Sequence, residues 1–187
     1  MEQLGRSYLN ELINRSLVQP TKVGGHGATV KQCRVHDVIL EFIVSKAVED
    51  NFVTIWNGNG FSKNYSSNKI RRLSIQKDIS SRAEEIAKTI KNGAQIRSIN
   101  IFGSNSVLVN KHATEFLNSQ VLRVLNIEVV VGECNLGHVK SFGRLKYLSI
   151  GREIFGCKFP NDTEKLQHLE TLDVRWVNLK SLPTCII

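Results

Sequence analysis

Five short runs share one pattern, apolar-x-x-apolar-x-apolar, and they limit what this chain can fold into more than any other feature. They are Ile70-Arg71-Arg72-Leu73-Ser74-Ile75, Ile96-Arg97-Ser98-Ile99-Asn100-Ile101, Leu122-Arg123-Val124-Leu125-Asn126-Ile127, Leu145-Lys146-Tyr147-Leu148-Ser149-Ile150 and Leu169-Glu170-Thr171-Leu172-Asp173-Val174, starting 26, 26, 23 and 24 residues apart. The last two apolar positions of each run alternate as on one face of a short strand. One such strand cannot bury its apolar side alone, but stacked in parallel the strands share a continuous core.

Spacings of this size fall in the range of leucine-rich repeats. The expected fold is α/β: an irregular leucine-rich-repeat solenoid over 70–187, about five repeats of parallel strands and short helices, preceded by a partial winged-helix segment. Irregularity is expected because the site three residues after the last strand position, where such repeats carry Asn or Cys, holds Asp78, Ser104, Val130, Glu153 and Val177. The connections differ too. Ala83, Ile86, Ala87 and Ile90 have the i, i+3, i+4, i+7 spacing of an amphipathic helix behind Ser80-Ser81 as caps. Ala113, Phe116, Leu117 and Gln120 suggest another. Leu136, Val139, Phe142 and Leu145 step by three, as do Thr163, Leu166 and Leu169 after Phe159-Pro160, which suits a tight 3₁₀-like return. The last unit continues through Val177, Leu179 and Leu182 to Ile187 with no polar cap, so the array is expected to be C-terminally truncated.

Composition narrows the class. The chain has 187 residues, 41% hydrophobic and 22% charged, which is the balance of a folded domain. No apolar run reaches the ~18 residues of a membrane span, and the start, MEQLGRSYLNELINRS, has no apolar secretory core. A chain that is not exported is expected to be cytoplasmic and to keep Cys33, Cys134, Cys157 and Cys185 as thiols. Their separations of 101, 23 and 28 match neither a C-x-x-C hairpin nor a compact disulfide frame.

Residues 1–69 have a different texture. Leu9, Leu12, Ile13 and Leu17 mark a helical face expected to end near Pro20, which disfavours continuation. Lys22-Val23-Gly24-Gly25-His26-Gly27 reads as a turn and Thr29–Val35 as a β-prone run. His36-Asp37 then opens a second helix with apolar positions at Val35, Ile39, Phe42, Ile43 and Ala47. Helix, wing and helix form the end of a winged-helix unit, placed at 1–56, with 57–69, rich in Gly, Ser and Asn, as the loop to the array.

The run Tyr8-Leu9-Asn10-Glu11-Leu12-Ile13-Asn14-Arg15-Ser16-Leu17-Val18-Gln19-Pro20, the run Cys33-Arg34-Val35-His36-Asp37-Val38-Ile39-Leu40-Glu41-Phe42, and then Ile70-Arg71-Arg72-Leu73-Ser74 resemble, in that order, plant coiled-coil nucleotide-binding leucine-rich-repeat (NLR) disease-resistance proteins. The resemblance covers nearly the whole chain. It implies that the first two runs belong to the winged-helix subdomain closing the NB-ARC nucleotide switch and that the third begins the repeats. It further implies that Val35-His36-Asp37 stands for the family's Met-His-Asp motif, whose histidine reaches the β-phosphate of ADP in an intact receptor. From the residues alone, a His-Asp pair at a helix start is more often a capping feature than a ligand.

Other chemistry is excluded early. No G-x-x-x-x-G-K-[ST] loop occurs, so the nucleotide-binding loop is missing from this chain, and Gly24-Gly25-His26-Gly27 lacks the lysine that would replace it. No bound ADP or ATP is expected for the chain alone. Cys33-x-x-His36 is half a zinc site without a second half, and no nucleophile elbow or paired catalytic carboxylates stand out, so no enzyme activity is expected.

The net charge of +8 is uneven. Residues 1–69 carry eight basic against six acidic side chains, and residues 70–187 carry 17 against 11. The winged-helix part is therefore a poor phosphate binder, and no nucleic-acid partner is expected. Within the array the second position of each repeat holds Arg71, Arg97, Arg123, Lys146 and Glu170, a mostly basic stripe along one edge of the strand face. It reads either as a solvated face or as a docking surface for an acidic partner. Under the resemblance the chain is the sensor and autoinhibitory part of a receptor in plant defence. Its partners are then its own NB-ARC module and a pathogen effector or guarded host protein. Two other readings stay open, a free-standing repeat adaptor without a nucleotide switch and a winged-helix nucleic-acid binder.

Overall fold

The computed structural model describes residues 2–24, 29–57, 60, 70–76, 82–92, 95–103, 121–129, 132–135, 143–151, 154–158 and 166–174. It falls into two compact units, Met1–Glu49 and Asp50–Ile187.

The first unit contains α1 (Glu2–Asn14), the antiparallel pair β1 (Val18–Val23) and β2 (Val30–Val35), and α2 (Asp37–Glu49). The helix α1 stops earlier than Pro20 would stop it. Ser16 takes a left-handed φ of 58°. The Leu17 N–H then donates to the Leu12 carbonyl and the Ser16 N–H to the Ile13 carbonyl, the two bonds of a Schellman ending. Pro20 lies inside β1, opposite Cys33, and the register shifts between Pro20 and Lys22. A proline has no N–H for the ladder, and a two-stranded pair is all edge, so the break is tolerated there. The apolar positions of α2 do not form a buried face: α2 has no buried residue, and Phe42 and Ile43 are among its exposed side chains.

The second unit is built on a six-stranded parallel sheet. Its strands are β3 (Thr54–Trp56), β4 (Arg72–Ile75), β5 (Ser98–Gly103), β6 (Val124–Val129), β8 (Tyr147–Gly151) and β10 (Thr171–Asp173), stacked in chain order. A second parallel pair joins β7 (Gly132–Asn135) to β9 (Ile154–Lys158). The five repeat runs sit in register, Leu73 beside Ile99, Leu125, Leu148 and Leu172, and Ile75 beside Ile101, Ile127 and Ile150. These side chains are fully buried as far as Ile150, and Leu172 and Val174 pack half-buried against the same core. The expected helix appears as α3 (Ala83–Asn92), with Ala83, Ile86, Ala87 and Ile90 all buried in that core.

Two strand assignments differ from the sequence reading. Thr54–Trp56, placed there with the winged-helix segment ending at 56, pairs with Leu73–Ile75 as the first strand of the sheet. The reason is Trp56, the one large apolar side chain in the core register of that strand, which is completely buried. The pair β7 and β9 was not anticipated at all. The proposed caps Ser80-Ser81, the Ala113–Gln120 helix, the step-of-three segments before Gly143 and Leu166, nearly all of the 57–69 loop, the five turn sites from Asp78 to Val177 and everything after Val174 lie outside the described residues.

Candidate functional site

The second repeat position lies just before each strand, where the backbone ladder already holds it. The Arg71 carbonyl accepts from the N–H groups of both Arg97 (2.8 Å) and Ser98 (3.1 Å). The Arg97 carbonyl likewise accepts from Arg123 and Val124, that of Arg123 from Lys146 and Tyr147, and that of Lys146 from Glu170 and Thr171. Each carbonyl therefore uses both lone pairs on the next repeat, and Arg71, Arg97, Arg123, Lys146 and Glu170 are fixed as a row one strand spacing apart, about 4.8 Å.

All five side chains are exposed. Lys146 Nζ is paired with the carboxylate of Glu170, so the row is internally neutralised at that end. Among the described residues Arg71, Arg97 and Arg123 have no acidic partner. Like charges anchored on adjacent strands repel one another weakly through water and less so with salt, and this repulsion is relieved when a negatively charged surface approaches. The neighbouring Arg72 is committed elsewhere: its guanidinium lies 4.2 Å from the centroid of the Phe52 ring and donates to the Phe52 carbonyl.

The second candidate, Val35-His36-Asp37, closes β2 and opens α2. The His36 carbonyl accepts from the Leu40 N–H at 2.8 Å, and its ring Nδ1 accepts a long bond from the Val38 N–H at 3.4 Å. His36 is thus the N-cap of α2, satisfying an amide of the first turn that has no intrahelical partner. Asp37 is bridged by Arg34 at 3.3 Å, with both side chains mostly exposed. An exposed imidazole edge beside a carboxylate is no cradle for a diphosphate, so these residues do not by themselves fit ADP. Cys33 is exposed on β2, and among the described residues no group of three potential metal ligands forms.

Comparison with known proteins identifies the chain. The family described as "Disease resistance protein Winged helix domain" matches residues 1–43, and "Leucine-rich repeat region" matches residues 95–187. Disease resistance protein Pik-2 of Oryza sativa subsp. japonica is 37% identical over the whole chain. The chain belongs to the plant NLR disease-resistance proteins. Among other NLR relatives, disease resistance protein PIK6-NP of the same rice is 36% identical over 99% of the chain, and putative disease resistance RPP13-like protein 3 of Arabidopsis thaliana 29% identical over 92%. The chain spans less than a fifth of Pik-2 and PIK6-NP, 18% and 17%. Among the described residues no helix is long and apolar enough to cross a membrane.

Proposed function

We propose that this chain is the hinge and sensor region of a cytoplasmic NLR immune switch in plant defence, and that its own activity is protein binding by the repeats. In this reading the parallel strands are the start of an irregular leucine-rich-repeat solenoid, and the basic row is its contact surface. In the resting receptor the row meets the receptor's own NB-ARC module, and recognition of an effector or guarded host protein relieves that contact. His36 and Asp37 act on ADP only when an intact receptor brings a phosphate-binding loop to them.

The observation that supports the reading best is the register-locked run of Arg71, Arg97 and Arg123 without acidic neighbours among the described residues. Exposed cations whose backbones are spaced by the strand ladder attract an acidic partner and favour one register of approach. The test is the double reversal Arg97→Glu and Arg123→Glu in a full-length receptor. The expected outcome is loss of binding between the repeat region and the NB-ARC module, about 10-fold or more for two close charge pairs, together with autoactivity. Unchanged binding and an unchanged resting state would overturn the reading.

A further inference from the structure

The helix α2 ends at Glu49, the second unit begins at Asp50, and its first strand β3 starts at Thr54. Asn51 turns the chain in between with a left-handed φ of 52°, a conformation asparagine takes more readily than most residues with a Cβ. The strand is then held at its two ends by different means. At the far end Trp56 is fully buried, and its carbonyl accepts from the Gln76 N–H at 3.0 Å. At the near end the hold is on the surface. Arg72 immediately precedes Leu73, the ladder partner of Thr54; because Leu73 is buried on the core side, Arg72 lies on the opposite, open face of the sheet. Its guanidinium carbon sits 4.2 Å from the centroid of the Phe52 ring, and Nη1 donates a long bond of 3.5 Å to the Phe52 carbonyl. One side chain of β4 thus grips both the ring and the backbone of the residue through which the chain approaches the sheet.

The two holds differ in strength. Withdrawing Trp56 would expose a large apolar side chain, whereas an exposed cation over an aromatic ring shifts an opening equilibrium by only about two- to fivefold. The Phe52 ring is 57% exposed, so its contact with Arg72 belongs to the weak class. Local opening begins where the contacts are weakest.

We propose that Phe52 and Arg72 form a latch that sets how much chain is free between the two units. With the latch closed, the second unit holds the chain from Phe52 onward, and Asp50 and Asn51 are the hinge. With it open, Trp56 is the anchor, and Phe52, Val53, Thr54 and Ile55 join the hinge. A longer hinge lowers the effective concentration at which one unit meets the other, so the latch sets the reach of the first unit without altering either core. Both latch residues lie in the second unit, and the latch depends neither on the basic row nor on the immune reading.

The test is amide hydrogen exchange and backbone NMR relaxation on the full 187-residue chain. Phe52→Leu should raise exchange of the β3 amides by about two- to fivefold, and Arg72→Ala by at least as much, while Ile99 and Ile101 of β5 keep their wild-type rates and so report an intact fold. The double variant should go no further than Arg72→Ala alone, because both substitutions remove the same contact. Arg72→Lys keeps a cation for the ring and a donor for the carbonyl, and should restore slow exchange. Relaxation should show Met1–Glu49 reorienting more independently of the second unit in Phe52→Leu and Arg72→Ala than in the wild type, and no such change in Arg72→Lys. Unchanged β3 exchange, additive effects of the two substitutions, or a rise that extends through β5 would overturn the latch. Faster β3 exchange with unchanged relaxation would overturn its control of the hinge.

Discussion

The two units of this chain use apolar residues in opposite ways. From Asp50 onward they recur at fixed repeat positions, and the structure buries them in one core running from Trp56 to Leu166. In Met1–Glu49, Val18 is the buried apolar side chain among the described residues, while Leu4, Tyr8, Val38, Leu40, Phe42 and Ile43 are exposed. The difference is in pattern rather than amount. Each repeat supplies its neighbour with the surface it needs, whereas α2 is apolar around most of its circumference, and a two-stranded hairpin offers such a helix too little to pack against. Hydrophobic content alone therefore does not make a core; apolar positions must converge.

The largest test of this contrast is a pair of truncations. Leu125→Ala, in the central strand β6 and fully buried, should cost about 2–5 kcal/mol through lost burial and an unfilled cavity. Phe42→Ala, on a side chain 63% exposed, should change stability by no more than about 0.5 kcal/mol despite removing a larger group. Urea unfolding of the two variants measures both, and equal losses would erase the distinction between the units. A gain is expected at the end of α1. Ser16 holds a left-handed φ that costs a residue with a Cβ roughly 1–2 kcal/mol, so Ser16→Gly should stabilise the first unit by about 0.5–1 kcal/mol after the added unfolded-state entropy. A shifted α1 amide-exchange profile is the readout.

Smaller effects belong to surface charges. The Lys146–Glu170 pair is about half-exposed on both sides, so a double-mutant cycle should give a coupling of only about 0.2–1 kcal/mol, declining with salt. A larger value would mean that the basic row is a structural device of the second unit rather than a surface open to partners. Smallest is the pH response of the first unit. Lys46, first by its hydrogen bond and then by its charge, holds the Glu49 carboxyl below the ordinary glutamate value. Because the folded value is the lower one, the contribution is complete above the unfolded glutamate range and is lost as pH falls through the folded value. Carboxyl NMR titration should show that depressed midpoint, and Lys46→Met should return it upward.

Legibility in the sequence followed the physics of each signal. The core strands and α3 could be read because burial forces an apolar residue at every inward position, and Ile86, Ala87 and Ile90 display it. The basic row could be read as well, since it lies at one fixed step from that pattern. The strand β3 escaped because its register positions hold Asn51 and Thr54 before Trp56, leaving one large apolar residue to carry it. The end of α1 was misplaced because Pro20 is a visible helix breaker, while Ser16, which ends the helix first, adopts a conformation seldom taken by serine.

What the sequence determined by itself is the period, and with it the parallel α/β array, the residues of its core and the plant NLR family. These follow from local side-chain chemistry repeated at a constant interval. The tertiary structure decided what depends on neighbours distant in the chain. It placed the backbones of Arg71, Arg97 and Arg123 one strand apart with Lys146 tied to Glu170, made His36 a helix cap and left α2 without a buried residue. Such facts are set by strand register, which comes from stacking one repeat on the next and which no single repeat contains.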